Sequence, residues 1–383
     1  MSRTPSGLRI PPGMQDLLPE EAALLEQLEG RLLSLFRQWA YHRVMTPTLE
    51  YAACVQPDVD REDQLYKFFD RQGRILVLRP EFTTPIARLV STRLRGEELP
   101  LRLCYSGDVF RYSGARLREF RQAGVELIGS AEELGDAEVI ALAVECLRTI
   151  GLTDFQFNLG HMGIFSGLME EAGLNAELRA QLEDFLARKD IVGIEVLVAH
   201  SGLSQRVQEL LLRLPYLHGH ADILDEVVEL SGRASVRAAV DSLRRVYGYL
   251  EDFGVARHVA LDLGILRGFA YYTGAIFEGY VPGVGFPVIE GGRYDLLYTD
   301  FHNSLPATGF ALNLGSMLDR VSLKAEEIDE VLVYGSNAGQ LIHRCAELRS
   351  QGRRVRMLLR ALSPAEAEAL AAGRVFVNID LER

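Results

Sequence analysis

The stretch Leu101–Gly129, LRLCYSGDVFRYSGARLREFRQAGVELIG, decides the fold. Leu101, Leu103 and Tyr105 alternate with their neighbours, and Phe120 and Gln122 alternate against Arg121 and Ala123. Two period-2 runs on either side of a short polar segment, Tyr112 to Arg118, predict an antiparallel hairpin with charged residues at its tip. Working upstream, residues 73–79 read as a strand, and LRPEFTTPIARLV turns that strand into a helix beginning near Thr84. YHRVMTPTLEY before it is extended, because Pro47 disfavours helix at Thr46. Further back, Pro19, Glu20 and Glu21 place a proline and two acids in the first turn of a helix. Its apolar stripe runs through Leu24, Leu28, Leu32, Leu35 and Trp39.

Downstream, the pattern predicts a helix over 137–150 and a strand at DFQFNLG. Residues 163–255 change character. AELRAQLEDFLARK, SQRVQELLLRL, ADILDEVVEL and ASVRAAVDSLRRVYGYL are helical by periodicity, separated by Gly or Pro breaks, and read as a helical insertion. Strands return at HVALDLG, GAIFEGY and FPVIEGG, and a last helix is expected to start near Phe310. The segment 328–383 alternates strand and helix, as a small parallel α/β unit does. The division expected is therefore a core over 1–162 and 256–322, an insertion over 163–255, and an appendage over 328–383. The 383 residues are 48% hydrophobic and 25% charged, an ordinary globular composition. No apolar run is long enough to span a bilayer and no secretory signal is visible, so a cytoplasmic location is expected. Cys54, Cys104, Cys146 and Cys345 are scattered and read as reduced thiols. His218-Gly219-His220 lacks further ligands at useful spacing, and no metal site is expected. A net charge of −12 argues against broad nucleic-acid binding.

Four clusters could carry chemistry: Arg79-Pro80-Glu81-Phe82-Thr83-Thr84; Phe110-Arg111 facing Gln122 and Glu126; Leu266 to Gly274 (LRGFAYYTG); and Glu290-Gly291-Gly292-Arg293-Tyr294-Asp295. Singly they are unspecific. In this order, with PATGFALNLG after them, they resemble the catalytic core of the class II histidyl-tRNA synthetases over roughly residues 5–322. The resemblance implies an α+β fold, the class II synthetase-like antiparallel sheet flanked by helices, with a helical insertion and a small C-terminal α/β unit. It also implies a histidine pocket. Glu81, Thr83 and Gln122 would surround the α-ammonium, Arg267 would face the carboxylate, and Glu126 with Tyr272 would face the imidazole, Arg111 and Tyr271 completing the site. The chemistry suits those roles, since carboxylates accept ammonium and imidazole N–H bonds and a guanidinium forks onto a carboxylate.

The departures from the family pattern concern ATP and tRNA. Where the family has Gly-Phe-Ala-x-Gly-x-Glu-Arg, this chain has Gly315 and Ser316 in place of the acid and the arginine. Arg320 is one helical turn further on, Arg111 is followed by Tyr112-Ser113 without the usual glutamate, and Ala270 replaces an acid. Arg116 and Arg118 remain as cations able to reach a phosphate. Beyond Glu327 the tail holds eight Arg against seven Asp plus Glu, nearly neutral and shorter than an anticodon-binding domain, so tRNA binding is not expected. These departures resemble a paralogous family, the regulatory subunits of ATP phosphoribosyltransferase. That resemblance implies a chain with no catalytic residues and no cofactor of its own. Its partners would be a short-form catalytic subunit and L-histidine as effector, around a homodimeric core within a hetero-oligomer. Two other readings stay open: an active histidyl-tRNA synthetase, and another amino-acid-sensing synthetase paralogue.

Overall fold

A computed structural model describes residues 9–55, 63–112, 118–188, 190–265, 272–321, 323, 330–358, 362, 366 and 375–380. The chain divides into two compact units, 1–323 and 324–383.

The first unit opens with helix α1 (Pro19–Gln38). Glu21 accepts the Leu18 backbone N–H at 2.8 Å, which satisfies one orphan donor at the helix start. Leu28, Leu32, Leu33 and Phe36 form its buried stripe. Short strands β1 (His42–Arg43), β2 (Leu49–Tyr51), β3 (Lys67–Phe69) and β4 (Ile75–Leu78) follow, then α2 (Thr83–Arg93). The hairpin comes next as β5 (Leu101–Phe110) and β6 (Glu119–Ile128), in an antiparallel register that sets Gly107 opposite Gln122 and Leu103 opposite Glu126. Helix α3 (Glu133–Thr149) is buried along most of its length, and β7 (Gln156–His161) returns to the sheet. Six helices fill the next stretch: α4 (Met162–Ala172), α5 (Ala176–Ala187), α6 (Ile191–His200), α7 (Gln205–Arg213), α8 (Ile223–Leu230) and α9 (Ala234–Asp252). The two-residue strand β8 (His218–Gly219) lies among them. Then come β9 (Val259–Asp262), β10 (Ala275–Tyr280), β11 (Ile289–Arg293) and β12 (Ala307–Asn313).

Nine strands make the main sheet, in the order β1-β5-β6-β12-β11-β10-β7-β9-β8. Its centre is antiparallel as expected, while β1 joins β5 and β9 joins β7 in parallel. One face carries the core, where Val125, Phe157, Phe277, Phe310 and Leu312 meet α1, α3 and α9. The opposite face places Gln122, Glu126, Gly309, Ala311 and Glu290 side by side on neighbouring strands. β2, β4 and β3 form a separate antiparallel sheet.

One expectation is corrected. Phe310 lies inside strand β12, and helical geometry appears only as a 3-10 turn at Gly315–Met317. The short apolar run Gly-Phe-Ala-Leu suits either state, and pairing with β6 and β11 on both sides settles it as a central strand.

The second unit is a parallel three-stranded sheet in which β13 (Glu330–Tyr334) lies between β14 (Arg354–Met357) and β15 (Val375–Asn378). Helix α10 (Ala338–Ser350) packs Leu341 and Cys345 against Val331, Val333 and Ile379.

Candidate functional site

A strand-to-helix turn builds the first wall of the site. Arg79, 7% exposed, fastens it: Nε donates to the Asp108 carbonyl at 2.8 Å, Nη1 donates to the Thr46 carbonyl at 2.9 Å, and the guanidinium covers the Phe82 ring. This arginine therefore holds backbone and does not face a ligand. Glu81 follows, buried at the start of α2, where its carboxyl oxygens accept the Thr84 backbone N–H at 3.0 and 3.2 Å. An acid at a helix N-terminus is stabilised by the aligned peptide dipoles. Burial raises the Glu81 pKa, opposed by the Thr84 hydrogen bonds and by the Arg111 charge.

Thr83 opens α2 and donates its hydroxyl to Glu126 Oε1 at 2.9 Å. On the other side Tyr294, just past β11, donates its phenol to Glu126 Oε2. Glu126 is 1% exposed, and burial pushes its pKa up to about 8 against the pull of those two hydroxyls. The Glu81 charge pushes in the same direction as burial. Both hydroxyls are placed to donate to a carboxylate, and a protonated carboxyl would require one of them to accept instead. Strand β12 makes room for it: a Cβ on Gly309 would sit 2.0 Å from Glu126 Oε2. Only glycine permits that approach.

Gln122, two turns of the pleat along β6, is 6% exposed, and its Oε1 is buried with no hydrogen-bond partner among the described residues. A buried amide oxygen without a donor is costly and marks a place where a ligand N–H fits. Arg111, at the end of β5, donates Nε to the Pro80 carbonyl at 2.8 Å and lies over Phe120.

Six of the residues picked out in the sequence thus line one cavity: Glu81, Thr83, Arg111, Gln122, Glu126 and Tyr272. It encloses about 420 Å³ including its open mouth. Arg267 and Tyr271 lie outside the described residues, as do Ser113, Arg116 and Ala270. The sequence had given no role to Tyr105, Glu290 or Tyr294, which also line the cavity. Tyr294 stood in a cluster already singled out, but its partner Glu126 is 168 residues away. Arg293, from that same cluster, faces elsewhere. Its guanidinium donates to Asp136 at 2.9 Å, the Ser130 carbonyl at 2.9 Å and Asp295 at 3.3 Å, tying β11 to α3.

Three positions at or beside the departures from the synthetase pattern are also visible. Ser316 donates its hydroxyl to the Asn313 carbonyl at 2.9 Å. Arg320 donates to the Gly283 carbonyl at 2.7 Å. Arg118 stacks its guanidinium on Tyr112 at 4.1 Å. Among the described residues no group of His, Cys, Asp and Glu is placed to hold a metal ion, and no helix is long and apolar enough to cross a membrane.

This geometry can be set beside known proteins. The profile of the histidyl-tRNA synthetase family matches residues 13–317. A Desulfitobacterium hafniense (strain DSM 10664 / DCB-2) protein named ATP phosphoribosyltransferase regulatory subunit is 58% identical over 371 residues, 97% of this chain and 97% of its own length. The chain belongs to the ATP phosphoribosyltransferase regulatory subunit family. A second regulatory-subunit relative, from Moorella thermoacetica, is 47% identical over 96% of both chains. A solved Bacillus halodurans C structure, described as an ATP phosphoribosyltransferase regulatory subunit/histidyl-tRNA synthetase, superposes with a TM-score of 0.88. It is 32% identical, over 98% of this chain and 99% of its own. Histidyl-tRNA synthetase from Nostoc sp. PCC 7120 superposes at 0.81, covering 96% and 89%, and at 19% identity it shares the fold alone. Membership in the regulatory subunit family and the synthetase-like sheet are thus one finding: the core that carries the cavity is the part the synthetase profile matches.

Proposed function

We propose that this chain is the non-catalytic regulatory subunit of ATP phosphoribosyltransferase. In this reading it activates a short catalytic subunit in the first step of histidine biosynthesis, and it conveys histidine feedback. One contrast carries the reading. The acid-lined cavity around Gln122 and Glu126 is built to receive an amino acid, while Ser316 stands where the synthetase pattern has an arginine and turns its hydroxyl to its own backbone. Adenylation develops charge on the ATP phosphates and needs fixed cations there. Losing one such partner costs about two to three powers of ten in rate. Arg320 does not replace it, since it is engaged with the Gly283 carbonyl. The names borne by the Desulfitobacterium and Moorella relatives support the same assignment.

Regulation then follows from linkage. Histidine that binds one state of the complex more tightly shifts the complex toward that state, by no more than its difference in affinity. The reading includes a homodimeric core within a hetero-oligomer, a cytoplasmic location and no tRNA binding. It also keeps the three-part division into core, 163–255 insertion and 328–383 appendage.

The test is to mix the chain with a short catalytic subunit and follow phosphoribosyl-ATP formation with and without histidine. Activity should rise on mixing and fall with histidine. A mixture that gains nothing over the catalytic subunit alone overturns the assignment, and histidine-dependent ATP–pyrophosphate exchange by the chain alone would establish an active synthetase instead.

A further inference from the structure

Strand β12 lays out a path across the open face of the sheet. Its residues Gly309, Ala311 and Asn313 stand opposite Glu126, Gly124 and Gln122 of β6, and the chain then turns at Gly315–Met317 into Ser316. A ligand held at Glu126 and extended toward Ser316, where the synthetase pattern has an arginine, therefore runs over Ala311. On the far side of Ala311, directly opposite it on β11, stands Glu290. Glu290 is exposed and lines the cavity, and among the described residues no hydrogen bond or ion pair reaches its carboxyl. Its other cross-strand neighbour is Glu278 of β10, a second acid. Like charges directly opposite one another cost stability, so this placement does nothing for the sheet. On the near side of the path, Gln122 Oε1 is buried and without a donor among the described residues.

We propose that Glu290 is a specificity-determining residue whose charge keeps anionic groups off the middle of this path, so that the cavity takes a free amino acid and refuses the same amino acid joined to a phosphate. The proposal rests on the reading above that this cavity takes histidine. Three acids line the cavity, Glu81, Glu126 and Glu290, against one described cation, Arg111. The Arg111 charge bears on Glu81, and its Nε is given to the Pro80 carbonyl. Glu81 and Glu126 are themselves engaged, by the Thr84 backbone N–H and by the Thr83 and Tyr294 hydroxyls. Of the three acids, Glu290 is the one left without a described partner. A free amino acid brings an ammonium to offset its carboxylate. An acyl phosphate brings a negative charge instead, and no described cation beside Ala311 offsets it. A unit charge about 7 Å from a carboxylate, at an effective dielectric between those of a protein surface and of water, changes affinity by about tenfold. Ser316 thus withholds a cation from the end of the path, and Glu290 sets an anion against its middle.

The experiment is calorimetric titration of the full chain and of Glu290→Gln, at about pH 7, with two ligands. One is L-histidine. The other is histidyl sulfamoyl adenosine, an unreactive analogue whose acyl sulfamate is anionic as the acyl phosphate is. Glutamine keeps the size of the side chain and removes only its charge, and histidine binding by the variant shows that it is folded. Expected is a gain of about tenfold in affinity for the analogue relative to histidine. The gain should shrink to within about threefold in about 1 M salt, where the screening length is about 3 Å. Glu290→Asp keeps the charge and should keep the wild-type ratio within about threefold. A ratio that Glu290→Gln leaves within about twofold of wild type overturns the proposal. An analogue that binds neither protein overturns it as well, since removing the acid then opens nothing. So does a gain that persists in high salt, which would make the effect one of shape. Absence of histidine binding to wild type is a different failure, because it removes the histidine reading of the cavity itself.

Discussion

Replacing Glu126 with Gln should change how stability depends on pH even with no ligand present. The amide mimics the protonated acid, one side donating and the other accepting between Thr83 and Tyr294. The carboxyl has a folded-state pKa of about 8 against an ordinary 4.5. Because the folded value is the higher one, its contribution is complete below the unfolded pKa and is lost as pH rises through the folded pKa. Within that window the native chain holds one more proton than the unfolded chain, and stability falls by about 1.4 kcal/mol per pH unit. Allowing for the flattening near the upper edge, wild type should lose about 2 kcal/mol between about pH 6 and 8 that Glu126→Gln does not lose. Burial also raises the pKa values of Glu81 and Asp136, but both remain in the variant, so the difference between the two proteins isolates Glu126. Urea unfolding can be followed through Trp39, the single tryptophan, which stacks on Phe253 in the first unit. Parallel pH profiles for the two proteins, within about 0.5 kcal/mol, would refute the claim that Glu126 is held protonated.

Arg293→Met should cost about 3–5 kcal/mol, since it strands the buried Asp136 carboxyl without its guanidinium. Part of that loss should return at low pH as Asp136 protonates, which urea titrations at two pH values will show. Gly309→Ala should abolish histidine binding and destabilise the first unit by about 1–3 kcal/mol or more. The new Cβ would fall 2.4 Å from the Val125 carbonyl, a backbone atom that cannot yield; calorimetry and thermal unfolding read the two effects. Arg245→Ala, which breaks a largely exposed pair with Glu133 between α9 and α3, should cost less than about 1 kcal/mol, and less still in high salt.

The sequence disclosed those strands whose two faces differ. β6 alternates in residue type because Ala123, Val125 and Leu127 enter the core while Gln122 and Glu126 meet the cavity, although both faces are buried there. β12 carries the same alternation, but Gly309 and Ala311 are too small to mark the open face, and a helix was expected at Phe310. Helices α4 and α6 were not singled out within the insertion. IVGIEVLVAH is apolar nearly all round and gives no 3.6-residue contrast. In the cavity, Glu81, Thr83, Gln122 and Glu126 were legible as a pattern of residue types. Which group each one holds was not, because Thr83 to Glu126 and Glu126 to Tyr294 are contacts made by the sheet across 43 and 168 residues. Arg79 and Arg293 stood in the same clusters as the cavity residues, yet their guanidinium groups fasten backbone and α3 instead.

Gly124, Gly309 and Gly292 lie on the three adjacent strands β6, β12 and β11, and a Cβ at any of them would strike a backbone oxygen within 2.6 Å. Gly309 also lines the depression over the sheet, where its missing side chain leaves the Glu126 carboxyl room against the strand. Its floor is main chain, fixed in depth by the pleat and by hydrogen bonds to both neighbours. Mutation elsewhere can reshape the rim or retune the charges, but it cannot lower that floor, and any substitution on it can only raise it. A chain that keeps these glycines keeps the close approach of these three strands, whatever its rim comes to serve.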